Sequence, residues 1–171
     1  MDLKDYIRSI QDYPKKGILF RDITTLIKNE IAFEATINQI VERSKQFKVD
    51  KIAAIESRGF VFASAVSYVL RKPFIMLRKK NKLPAAVHSV DFELEYGTAT
   101  IEVHKDSVSE NDSVLIIDDL IATGGTAEAA AKLIEMSKAN VTGFVFVINL
   151  FDLGGCKRLK DKGYKVENLI D

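Results

Sequence analysis

V-L-I-I-D-D-L-I-A-T-G-G-T, residues Val114–Thr126, opens with four β-favouring apolar residues, Val114 to Ile117. Such a run predicts a strand buried on both faces of a parallel sheet. Two adjacent carboxylates, Asp118 and Asp119, are expected just past its C-terminal end. The turn Ala122-Thr123-Gly124-Gly125-Thr126 follows, and the alanine-rich run Ala127–Lys138 predicts a helix. Ligands of open parallel sheets sit off the carboxyl ends of the strands. A Gly-rich turn opening a helix offers unpaired backbone N–H groups and the positive end of the helix dipole, which suits a phosphate. The carboxylates beside it suit hydroxyls. The combination therefore reads as a site for a phosphorylated sugar. A strand end followed by an N-capped helix is the plainer alternative, but adjacent like charges there call for a compensating ligand or metal.

Working outward, the flanking segments predict an α/β chain. Lys51–Ile55 reads as a buried strand ending in Glu56-Ser57-Arg58-Gly59, Phe60–Leu70 as a buried helix, apolar almost all round, and Pro73–Leu77 as the next strand. This is a βαβ unit with a right-handed crossover. Val90–Leu94 and Thr98–His104 alternate and are joined across Glu95-Tyr96-Gly97, which predicts a β-hairpin. Val141–Leu150 continues the series, Gly154-Gly155 closes it, Lys157–Lys162 reads as a helical turn and Tyr164–Leu169 as an edge strand. Towards the N-terminus, Glu30–Phe47 predicts a long helix with Ile37, Ile40, Val41 and Ser44 inward. Asp2–Ile10 reads as a short helix, Asp12–Gly17 as a break, and Ile18–Ile27 as irregular. One domain over 1–171 is expected, with residues 1–27 as a small cap.

Composition narrows the class. The 171 residues carry a net charge of +1 and are 47% apolar. That argues against disorder and gives no general attraction to nucleic acid or membrane. No apolar run approaches the ~20 residues of a membrane span, and the N-terminus has no signal-like apolar core. The single cysteine, Cys156, forms no internal disulfide, which fits a reducing cytoplasm. His88 and His104 are too few and too scattered for a metal site.

Three further motifs each leave two readings open. Arg58 in the Glu56–Gly59 turn is either a surface arginine or a bidentate partner for a diphosphate. Arg78-Lys79-Lys80-Asn81-Lys82 is either a solvated basic face or a second contact for that diphosphate. Phe20, in Leu19-Phe20-Arg21-Asp22, is as suited to a core as to a ligand. Glu95 in a hairpin turn reads, in isolation, as solvated.

D-D-L-I-A-T-G-G-T resembles the phosphoribosyl-pyrophosphate (PRPP) motif of the type I phosphoribosyltransferase family, and four motifs follow that family's order. The resemblance implies a central parallel sheet flanked by helices, with an N-terminal hood over 1–27, a core over 28–171 and a flexible loop at 78–104. It implies that Asp118 and Asp119 hold the ribose hydroxyls and that Ala122, Thr123, Gly124, Gly125 and Thr126 cradle the 5′-phosphate. S-R-G-F is similar to the family's pyrophosphate loop. This assigns Ser57 and Arg58, with Arg78, Lys79 and Lys82, to the diphosphate, and implies a cis Glu56–Ser57 peptide. L-E-Y-G and P-x-x-G-I-L-F-R-D-I resemble the family's adenine-using members. Their match puts the backbones of Leu19 and Arg21 on the adenine edge, Phe20 and Leu120 on its faces, and Glu95 at N7. Such members often carry Gly where this chain has Asn81 and Ala85. Adenine and PRPP are then the expected substrates, AMP and pyrophosphate the products, Mg²⁺ the cofactor and a homodimer the assembly. A hypoxanthine- or guanine-using enzyme and a PRPP-sensing regulator without catalysis are the rival readings; the latter typically adds a basic face or helix-turn-helix.

Overall fold

The computed structural model describes residues 1–94 and 96–171. Glu95 therefore lies outside the described residues. The N-terminal segment is a 3-10 turn, Leu3–Tyr6, capped by the Asp2 carboxylate accepting from Lys4 N–H at 2.9 Å. Strands β1 (Arg8–Gln11) and β2 (Leu19–Asp22) follow, then a one-turn helix α1 (Thr24–Ile27). The expected helix over Asp2–Ile10 is thus cut short, and Ile18–Ile27 is not irregular. The reason is pairing at a distance: β1 and β2 are antiparallel, with Ile10 opposite Phe20 and Arg8 opposite Asp22.

Helix α2 runs Glu30–Ser44 and starts where the Asn29 side chain accepts from Ala32 N–H at 2.9 Å, a regular N-cap. Ile37, Ile40 and Ser44 face inward as expected, with Val41 half-buried. Strand β3 (Lys51–Ile55), helix α3 (Arg58–Leu70) and strand β4 (Phe74–Lys79) form the first crossover. Helix α3 is not buried all round: Val61, Val69 and Tyr68 are exposed, Tyr68 at 85%. Strands β5 (Val87–Glu93) and β6 (Thr98–His104) form the hairpin. Strand β7 (Ser113–Ile121), helix α4 (Gly125–Glu135), strand β8 (Asn140–Asn149), helix α5 (Gly155–Asp161) and strand β9 (Val166–Ile170) complete the chain.

The seven-stranded sheet has the order β5-β6-β4-β3-β7-β8-β9. The run from β4 to β9 is parallel, and β6 is antiparallel to both β4 and β5. Alternation along the central strands fills both faces. Ile52, Ala54, Leu115, Ile117, Val145 and Val147 join the core under α2 and α3. Ala53, Ile55, Val114, Ile116, Phe144 and Phe146 join the core with α4. This two-sided burial is what a parallel sheet needs. No helix among the described residues is long and apolar enough to cross a membrane.

The sheet leaves no room at Gly143 on β8. A Cβ there would strike the ring of Phe47, whose Cδ1 and Cζ would lie 2.8 and 2.9 Å away. Gly143→Ala is expected to destabilise the fold by about 1–3 kcal/mol, as overpacking usually does. Adding Phe47→Leu should recover part of that loss. Denaturant midpoints of the two variants check both statements.

Candidate functional site

The site forms where β3 and β7 end side by side. Ile52 pairs with Leu115 and Ala53 with Ile116, so the turns after both strands open on the same edge. They line one cleft of ≈ 250 Å³, from Ile55 to Arg58 on one side and Asp118 to Ala127 on the other. Strand β7 continues through the two carboxylates to Ile121, and so corrects the expectation that they follow the strand. Inside a strand, consecutive side chains point to opposite faces. Asp118 and Asp119 nonetheless both line the cleft, with their carboxyls close enough to interact.

Asp119 is buried, and its Oδ2 pairs with Arg58 Nε at 2.9 Å. Asp118 lies against the start of α3: a Cβ at Gly59 would stand 2.5 Å from Asp118 Oδ1. Any side chain at position 59 would have to displace that carboxylate. Asp118 Oδ1 accepts from Asp119 N–H at 2.9 Å. Burial first, and the neighbouring Asp119 charge second, push the Asp118 carboxyl well above the usual aspartate range.

The turn after β7 needs a positive φ. Gly124 has φ +89° and caps α4, which begins at Gly125, slightly earlier than the alanine run suggested. The first N–H groups of α4 thus face the cleft, an arrangement that attracts anions. Across the cleft, the Glu56–Ser57 peptide is cis, and Ser57 precedes α3 with no side-chain capping bond. Glu56, also on the cleft wall, organises the next strand. Its Oε2 accepts from Lys79 N–H at 3.0 Å and from Arg78 Nε at 3.2 Å. The Lys79 N–H bond, aided by Arg78, outweighs burial and holds Glu56 below the usual glutamate range.

The cleft therefore gathers Ser57, Arg58, Asp118, Asp119, Leu120 and Ala122 to Thr126. The hood reaches it through Phe20, whose ring centre lies 5.8 Å from the Arg58 guanidinium carbon. Tyr13 packs edge-on against Phe20 at 5.1 Å. Leu19 and Arg21 do not line the cleft; the Arg21 side chain donates to Ser9 Oγ at 2.6 Å. Arg78 connects to it through Glu56, while Lys79 at the end of β4 and Lys82 just beyond it are exposed. Asn81 has φ +66°, a left-handed conformation that asparagine tolerates better than most. Its N–H donates to buried Glu102 Oε1 at 2.7 Å. His104 Nε2 accepts from Ala85 N–H at 3.2 Å, which gives that histidine a structural partner. No cluster of three His, Cys, Asp or Glu side chains able to hold a metal occurs among the described residues. Cys156 is buried, and burial pushes its thiol up.

The chain matches the phosphoribosyl transferase domain over residues 22–170. The chain belongs to the phosphoribosyltransferase family. It is 81% identical over 171 residues to an adenine phosphoribosyltransferase of Pelagibacter ubique (strain HTCC1062), covering 100% of this chain and 98% of that protein. Its fold matches the crystal structure of adenine phosphoribosyltransferase from Thermoanaerobacter pseudethanolicus with a TM-score of 0.94 and 45% identity, over 98% of this chain and 96% of that one. The Saccharomyces cerevisiae enzyme, solved with adenine and an imino-altritol bisphosphate, matches with a TM-score of 0.90 and 34% identity, over 98% and 96% of the two chains.

Sequence reasoning about this phosphoribosyltransferase overlooked Glu56 as an organiser of the basic strand, Glu102 beneath it, and a Glu128–Arg158 pair beside the glycine turn. Acidic residues in apolar surroundings, such as Glu102 between Ile101 and Val103, were the available signal.

A titration follows from the Asp118 environment. Its folded pKa lies above the unfolded value, so the fold favours the protonated form. That contribution is complete below the unfolded pKa and is lost as pH rises through the folded pKa. Asp118→Asn is expected to stabilise the protein at pH 7 by about 1 kcal/mol or more. The gain should fade below the ordinary aspartate value of 3.8. Thermal melts of both proteins across that range check the sign.

Proposed function

We propose that this chain transfers the 5-phosphoribosyl group of PRPP to N9 of adenine, giving AMP and releasing pyrophosphate. The observation that carries this reading is the pairing of β3 with β7, which sets an anion-binding helix start, two carboxylates and a guanidinium around one cleft. Near-identity along the whole chain to an adenine-using relative supports the choice of base.

Breaking the C1′–O bond of PRPP leaves oxocarbenium character on the ribose, as in glycoside cleavage. Asp118 and Asp119 hold the ribose hydroxyls, and their charge favours the cationic sugar. Backbone N–H groups from Ala122 to Thr126 hold the 5′-phosphate. Arg58 uses Nε on Asp119, and its terminal nitrogens serve the diphosphate with Ser57, Arg78, Lys79 and Lys82. Phe20 and Leu120 cover the faces of adenine, the backbones of Leu19 and Arg21 read its edge, and Glu95 assists at N7. The loop 78–104 excludes water on closing.

Mg²⁺ fits this donor set, because the adjacent carboxylates of Asp118 and Asp119 both line the cleft. Magnesium keeps waters and favours substrate phosphates, so it would ride on PRPP with Asp118 and Asp119 beside it, neutralising the departing diphosphate. A second copy of the chain would cover the exposed face of α3. Val61 and Tyr68, seven residues apart, share that face. The lone buried Cys156 suits a reducing cytoplasm.

A spectrophotometric assay with PRPP, Mg²⁺ and each purine tests the reading. Turnover of adenine is expected, and turnover of hypoxanthine or guanine without adenine would overturn it. Glu95→Ala should lower kcat by about 100-fold, the usual scale of general acid catalysis, and a loss under about tenfold would remove Glu95 from N7.

A further inference from the structure

Glu128 sits one turn into α4, beside the glycine turn, and is buried. A carboxylate there would repel a phosphate held by the same helix start. Three cations answer it. Arg158 on α5 grips Glu128 Oε2 through both Nε and Nη2 at 2.7 Å. Lys132 and Lys162 reach Oε1 at 3.3 and 3.2 Å. The group is therefore two positive charges in excess.

The geometry around Arg158 is more specific than that charge count. Its Nη1 lies 3.7 Å from where a Cβ of Gly125 would stand, and its Cδ 3.5 Å from that of Gly124. No acceptor for Nη1 occurs among the described residues. Helix α5 is tied to the same turn from behind. Gly155 N–H donates to Ala122 O at 3.0 Å, and any side chain at Gly155 would strike that carbonyl. The Gly154–Arg158 segment thus backs the turn, and Glu128 fixes the direction of the guanidinium against it.

We infer that Arg158, oriented by Glu128, is a positioning residue for the 5′-phosphate: it holds the Gly124–Gly125 turn in shape and places a positive charge next to the phosphate it binds. This rests on the reading that the turn cradles the 5′-phosphate. A plain clamp between α4 and α5 would instead affect stability alone. The two differ in ligand response: a clamp spares both ligands, whereas the positioning role weakens the 5′-phosphate ligand and spares the diphosphate, which is assigned to the opposite side of the cleft.

Isothermal titration of the full chain with ribose 5-phosphate and, separately, with Mg²⁺-pyrophosphate distinguishes them. Arg158→Ala and Arg158→Gln should each weaken ribose 5-phosphate about tenfold, the scale of a lost hydrogen bond to a charged group. Pyrophosphate binding should change less than about twofold, since it does not touch this charge. KM for PRPP should rise with kcat nearly unchanged, and Arg158→Lys should recover most of the loss by restoring the charge. Unchanged ribose 5-phosphate affinity in both variants, or an equal fall for pyrophosphate, would overturn the inference. Thr126→Val separates the underlying reading. If it weakens ribose 5-phosphate while the Arg158 variants do not, the inference fails alone. If none of them does, the cradle assignment fails with it.

Discussion

The parallel pairing of β3 with β7 is the constraint on which the site depends. It brings the turn after Ile55 and the turn after Ile121 to one edge of the sheet. It also presses α3 so close to Asp118 that a side chain at position 59 would displace that carboxylate. Neither turn is a complete site. One offers a helix start and two carboxylates, and the other offers a guanidinium. Their separation is set by the spacing of hydrogen-bonded strands, about 4.8 Å per step, rather than by loop conformations.

Several acids of the chain are held low by partners in the fold. Glu56 is held low chiefly by the Lys79 N–H, and Glu128, despite a burial cost that is the largest single effect on it, is held low by Lys162, Lys132 and Arg158. Asp22 is held low first by the Thr24 hydroxyl. These groups stabilise the fold above their unfolded pKa values and lose that contribution as pH falls. Asp118 has the opposite sign. Titratable groups shifted in this way cluster at functional sites.

Much of this was readable beforehand, for identifiable reasons. Helix α2, strand β3 and the hairpin carry local periodicities that survive in the fold. The glycine turn was legible because positive φ and close approach require glycine. Other features were not, because their causes are distant in sequence. The hood became two strands through the pairing of Ile10 with Phe20. Strand β4 runs through Lys79, into what looked like a basic loop, because β6 pairs Glu102 with Arg78. The outer face of α3 looked like core because its composition does not say what covers it.

The sequence by itself determined the α/β class, the two strand-end turns, and the residue types that could meet a phosphorylated sugar. These depend on backbone periodicity, on the conformational freedom of glycine and on the placement of charge next to apolar runs, all of which are local. Tertiary structure alone decided that Asp118 and Asp119 lie within a longer β7 and share one cleft, that Arg58 meets both Asp119 and Phe20, and that Arg158 stands behind the glycine turn. Each of these joins groups from different elements. Such contacts follow from strand order and helix packing, which no window of the chain contains.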